Sequence, residues 1–176
     1  MQPLKEATAE KHRIAEQTPF NQRMFRGELS PEDYLRYLEQ QHAIFVALES
    51  MPLPHPDLAR TEPILKDMQE IYNQGIAPGP ILEATARYVA HLQGLGEAER
   101  GAHVYLNYLA LMFGGQIMKQ RIPSSGHLYD FQSMREAMGA VRAIQQDAWA
   151  DEVNAGFDHH IAIFHDLESF TQIPSA

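Results

Sequence analysis

Ser30-Pro31-Glu32-Asp33-Tyr34-Leu35-Arg36-Tyr37-Leu38-Glu39-Gln40-Gln41-His42-Ala43-Ile44-Phe45-Val46-Ala47-Leu48 is the stretch on which the fold class turns. It opens with an N-cap serine, a proline whose missing N–H is harmless at the first helical position, and two acids facing the positive helix end. Tyr34, Tyr37, Leu38, Gln41, Ile44, Phe45 and Leu48 then recur at helical spacing on one face. The prolines of Met51-Pro52-Leu53-Pro54-His55-Pro56 stop the pattern, because each removes a donor and clashes with the preceding turn. A helix is expected over 31–50.

The same 3.6-residue rhythm extends in both directions. Breakers at Pro19, Gly27, Gly75 to Pro80, Gly94-Leu95-Gly96 and Pro123 to Gly126 leave further helices over roughly 3–17, 20–27, 63–74, 80–94, 97–122, 131–146 and 147–170. No stretch alternates in the manner of a strand, and no repeat or long linker divides the chain. One all-α domain over residues 1–176 is expected, with 1–2 and 171–176 as loose ends. A length of 176 residues and 44% apolar content suffice for one core.

Several function classes drop out on composition. The formal charge of −9 disfavours non-specific nucleic-acid binding and requires local cations for any anionic ligand. No cysteine is present, which removes disulfides, thiolate catalysis and cysteine-held metal. The polar start and the lack of a long apolar run give no signal sequence and no membrane span, so a cytoplasmic setting is expected.

Nine histidines draw attention instead. His12 shares a helical face with Lys5, two turns earlier, and Glu16, one turn later, combining cation, imidazole and carboxylate. A metal-bound histidine commonly has such an orienting acceptor. On spacing alone, the commoner reading is an exposed histidine in a salt-bridged helix. His159, His160 and His165 make an unconvincing zinc set, because five- and six-residue spacings do not suit one helical face and no carboxylate completes it. Glu39-Gln40-Gln41-His42 is half of a di-iron motif without a second copy.

Gly114-Gly115 is the stronger oddity, sitting inside an apolar helical run from Tyr105 to Lys119. Each interior glycine costs about 0.5–1 kcal/mol relative to alanine. The pair signals either a kink where backbone approaches a flat partner, or close helix packing.

Here a resemblance enters. Leu4-Lys5-Glu6-Ala7-Thr8-Ala9-Glu10-Lys11-His12 is similar to the opening segment of the biliverdin-forming heme oxygenases, whose histidine is the proximal iron ligand. Phe45-Val46-Ala47-Leu48-Glu49 resembles a second family segment. Tyr108-Leu109, Gly114-Gly115-Gln116 and Lys119 resemble the distal-helix signature, and Ala155-Gly156-Phe157 with Phe164 the last heme-contacting helix. The matches keep their order from residue 4 to about 170.

The resemblance implies a helical heme-oxygenase-like fold with heme between His12 and the glycine backbone of Gly114 and Gly115. Glu16 then orients His12, Lys5 and Arg135 meet the propionates, Tyr105 belongs to the distal side, and Phe157 and Phe164 touch the ring. The implied reaction uses O₂ and an external electron donor, such as a ferredoxin or flavin reductase, to open heme to biliverdin, iron and carbon monoxide. Heme is both substrate and cofactor.

This chain departs from the signature. Ala110-Leu111 replaces its glycine and aspartate, Phe113 its serine, and Asn107 a nearby arginine. Asn107, Leu111 and Gly115 lie one turn apart and are expected to share the face toward the distal pocket. Leucine cannot hold proton-delivering water as aspartate does. A heme-binding protein for storage, delivery or sensing is therefore the alternative function.

Overall fold

A computed structural model describes residues 1–172. Nine α-helices are present among them: α1 (Leu4–Ala7), α2 (Ala9–Glu16), α3 (Pro19–Phe25), α4 (Pro31–Leu48), α5 (Thr61–Tyr72), α6 (Glu83–Gly94), α7 (Glu97–Met118), α8 (Met134–Ile144) and α9 (Ala150–Thr171). Short 3-10 turns at Pro56–Leu58, His127–Tyr129 and Asp147–Trp149 join some of them, and no strand occurs in the described residues. The all-α expectation holds. Of the C-terminal stretch expected to be loose, Thr171 ends α9 and Gln172 caps it, while 173–176 lie outside the described residues.

Local chemistry sets the boundaries. Ser30 Oγ accepts from Asp33 N at 3.1 Å, with Pro31 at the first position of α4. The helix expected over 3–17 is two helices, because the backbone leaves helical geometry at Thr8 (φ −112°, ψ 0°). There the threonine hydroxyl bonds back to Leu4 O at 2.9 Å, a contact that bends helices. Helix α7 stops at Met118 rather than 122, where the chain tightens into turns: Gln120 N bonds Ile117 O at 3.3 Å and Arg121 N bonds Met118 O at 2.8 Å.

Helix α4 lies against α5 and α6, and α9 lies against α2, α3, α6 and α7. The main core runs between these layers through Phe20, Tyr34, Leu38, Phe45, Tyr88, Tyr108 and Ile163. A second apolar cluster of Leu4, Ala102, Leu106, Trp149 and Val153 pins α1 against α7 and the start of α9. Asp147 Oδ1 adds a bond from Leu4 N at 2.9 Å. Helix α9 is thus a common floor on which α2 and α7 both rest.

Candidate functional site

Helices α1 and α2 meet α9 through three side-chain contacts. Lys11 Nζ pairs with Asp158 Oδ1 at 2.6 Å, Asn154 Nδ2 donates to Ala7 O at 3.2 Å, and the His12 ring stacks on Phe157 at 5.4 Å between centroids. The His12 side chain remains 59% exposed, and its Nε2 lies 3.0 Å from Glu16 Oε1. The expected histidine–carboxylate pair is therefore formed, on an open surface. Phe164, two turns beyond Phe157, stacks on Phe20 and Tyr37 at 6.4 Å and closes the other end of the α9 floor.

Helix α7 presents an apolar strip to solvent. Phe113 is 59% and Ile117 52% exposed, and Ala110 is exposed one turn before Gly114. The two glycines divide the work. A Cβ on Gly114 would meet nothing within 4 Å, whereas one on Gly115 would fall 2.5 Å from Tyr129 Cδ1. Close packing explains Gly115, and an open approach explains Gly114. Both glycines lie inside the one continuous helix α7, within the span expected to be helical.

The expected common face of Asn107, Leu111 and Gly115 exists but points inward. Leu111 is buried within the main apolar core. Asn107 is also buried, its Nδ2 donating to Tyr88 Oη at 3.0 Å and to His103 O at 2.8 Å. His160 Nε2 lies 2.8 Å from Asn107 Oδ1. Four-residue spacing shows that residues share a face, not which side of the molecule that face looks toward.

One cation lies against the strip. The Arg142 guanidinium lies 5.3 Å from the Phe113 ring centroid, and Tyr105 is half-buried nearby. Burial raises the Tyr105 phenol above its ordinary value, while Arg142 draws it down. Arg135 is exposed on the first turn of α8, two turns before Arg142 on the same face. Lys5 is exposed on α1. Lys11 is committed to Asp158.

Behind α7 lies a polar cluster that sequence reasoning missed. His91, His103, Glu152 and His160 come from three helices, and Tyr88 and Asn107 connect them. Burial with His103 and His159 nearby pushes the His160 imidazole down to about 3. His103 is likewise lowered, chiefly by burial, with Glu152 opposing the shift. The Glu39-x-x-His42 half-motif is structural: Glu39 pairs with Arg36 and accepts from Gly79 N at 2.8 Å.

An imidazole thus stacks on an aromatic ring of α9, while α7 carries an exposed apolar face with an open glycine and a guanidinium beside it. Comparison with known proteins gives the family. The sequence model of the heme oxygenase family matches residues 1–165. Bovine heme oxygenase 1 is 34% identical over 145 residues, covering 70% of this chain and 50% of that protein. Rabbit heme oxygenase 2 is 25% identical over 98% of this chain and 67% of its own length. The chain thus spans about half the length of the bovine relative. Among solved structures, heme oxygenase-1 from the cyanobacterium Synechocystis, in complex with heme, superposes with a TM-score of 0.80 at 21% identity. That match covers 95% of this chain and 91% of the other. The Leptospira interrogans heme oxygenase gives 0.79 at 23%, covering 92% and 96%. With the family model matched over nearly all of its length and the fold shared, the chain belongs to the heme oxygenase family.

Proposed function

We propose that this chain is a heme oxygenase that opens heme to biliverdin, iron and carbon monoxide with O₂ and an external electron donor. The observation that carries the reading is the pairing of an exposed His12 on Phe157 with the open backbone at Gly114, on two helices that share the α9 floor. Bound heme supplies the redox-active iron and is itself the carbon skeleton oxidised.

This chain's residues hold and orient it. His12 offers the proximal nitrogen, and Glu16 accepts a hydrogen bond that fixes the ring. Phe157 and Phe164 supply the apolar floor. Gly114 leaves room above the ring, because any side chain there would enter the same space. Arg142, Lys5 and Arg135 provide the local positive charge that a dianionic ligand needs on a chain of formal charge −9. Tyr105 stands on the same side as Arg142. Gly115 acts through packing on Tyr129, and Leu111 through the core beneath the strip. Asn107 with His160 keeps a hydrogen-bonded polar pair behind α7, the nearest counterpart to an acid at position 111. No helix among the described residues is long and apolar enough to cross a membrane. The reading places the chain in the cytoplasm, served by a ferredoxin or flavin reductase.

One observation favours a second reading. Position 111 carries a buried leucine, so the distal side lacks that acid's proton-bearing group. A protein that binds heme for storage, delivery or sensing would have the same trough. Titration with hemin, followed by ascorbate or a reductase under air, separates the two. The enzyme reading expects one-to-one binding, a histidine-ligated Soret spectrum lost in His12→Ala, and biliverdin formation. Binding without biliverdin gives the storage reading. An unchanged spectrum in His12→Ala removes His12 from the site.

A further inference from the structure

Three helices bring together side chains that the heme reading does not use. His91 lies in the last turn of α6, His103 in the first half of α7, and Glu152 in the first turn of α9. Glu152 Oε1 is 2.6 Å from His91 Nε2 and 2.6 Å from His103 Nε2. The three ligand atoms all lie within 4.8 Å of one another. The His103 side chain is fully buried, while His91 and Glu152 are 32% and 25% exposed. The cluster therefore has a closed back and an open front.

We infer that His91, His103 and Glu152 form a binding site for one divalent transition-metal ion of the zinc type, separate from the heme trough. Two imidazoles and one carboxylate are a donor set that such ions favour, and three protein ligands leave a position for water. Both imidazoles aim their Nε2 atoms at one carboxylate oxygen, so the three donors already converge on a shared point. The back is braced: Tyr88 Oη lies 2.7 Å from His103 Nδ1 and receives Asn107 Nδ2 at 3.0 Å. A ligand histidine whose second nitrogen is so held keeps its ring orientation. Metal–nitrogen bonds of about 2.0–2.1 Å put tetrahedral ligand atoms roughly 3.3 Å apart. The 2.6 Å contacts must open by roughly 0.7 Å. A part-exposed glutamate on the first turn of a helix can make that movement.

A second group, Asp67, Glu70 and His127, also converges, but its carboxylates are already engaged. Asp67 accepts from Ser124 Oγ and from the backbone N–H groups of His127 and Leu128, and Glu70 from Ser125 N. It clasps the loop before the 3-10 turn. Glu152, among the described residues, accepts only from the two imidazoles.

The test is calorimetric titration of the full chain, stripped with chelator, with Zn(II), in heme-free and hemin-loaded forms. Co(II) absorption on the heme-free form reports coordination number. The expected result is one equivalent bound in both forms, with a four- or five-coordinate Co(II) spectrum. Glu152→Gln and His91→Gln should each weaken binding at least about tenfold, and His127→Ala should leave it unchanged. Both weakening variants alter part-exposed side chains, and circular dichroism checks that they fold. Absence of binding, binding indifferent to Glu152→Gln and His91→Gln, or loss in His127→Ala overturns the site. The heme-free titration needs neither heme binding nor turnover, so it stands or falls apart from the oxygenase reading.

Discussion

Adding one methyl group to each of two adjacent glycines should move stability in opposite directions. In Gly114→Ala the new Cβ meets nothing within 4 Å, and the residue sits in the interior of α7. Helix propensity then acts alone, and heme-free stability rises by about 0.5–1 kcal/mol. In Gly115→Ala the same methyl falls 2.5 Å from Tyr129 Cδ1 and 3.3 Å from Cε1 and Cγ. Tyr129 cannot swing clear: its ring is buried, and its carbonyl accepts from Gln116 Nε2 at 2.9 Å. Overpacking of this kind costs about 1–3 kcal/mol, which exceeds the propensity gain. The net loss is roughly 0–2.5 kcal/mol. Urea unfolding followed by far-UV circular dichroism resolves such differences, provided the slope with denaturant is unchanged. Hemin titration adds a second axis. Gly114→Ala should bind hemin more weakly than the parent while being the more stable protein, because its methyl occupies the ligand's side of α7. Equal stability of the two variants, or a less stable Gly114→Ala, would refute the division of roles between the glycines.

Other outcomes follow from the same contacts. Leu111→Asp places an unpaired carboxylate in the core and should cost on the order of 3–5 kcal/mol; an unchanged thermal midpoint would show that Leu111 is not packed there. Acid should weaken the fold through His160. Its folded value, about 3, lies below the ordinary 6.5, so on acidification the unfolded chain takes up a proton that the folded chain refuses. Stability is therefore complete above about 6.5 and declines as the pH falls toward 3. At pH 5 the loss reaches at most about 2 kcal/mol, and about 1–2 for a ring with some solvent access. Urea midpoints of the chelator-treated protein at pH 7.5 and pH 5 should differ less in His160→Gln than in the parent; an equal difference excludes His160 as the source.

The helices were legible in sequence where local chemistry decides them. Ser30-Pro31 starts α4 because cap and proline act within one turn, and the proline run after Met51 ends it. The His12–Glu16 pair was legible for the same reason, since four-residue spacing brings the two side chains within 3.0 Å. What spacing could not supply was direction. Asn107 and Leu111 do share a face, but tertiary packing turned it toward the core and Tyr88, leaving Ala110, Phe113 and Ile117 toward solvent. Nor could Gly114 be told from Gly115, because Tyr129 reaches the second through a loop fourteen residues further along. The His91–His103–Glu152 cluster left no trace in the sequence. Its members lie 12 and 49 residues apart, on helices that meet only in three dimensions.

The interruption at Thr8 separates two parts of the N-terminal arm with very different grips. Leu4 is fully buried, and burying a leucine stabilises by about 1.5–3 kcal/mol. In α2, by contrast, only Ala15 is buried, and the surface pair Lys11–Asp158 contributes about 0–1 kcal/mol. The His12 helix is thus fastened by far less burial than the segment at Leu4, and Thr8 is the joint between them. On the proposed function, the residue that would hold the iron is carried by the segment with the least burial to fasten it.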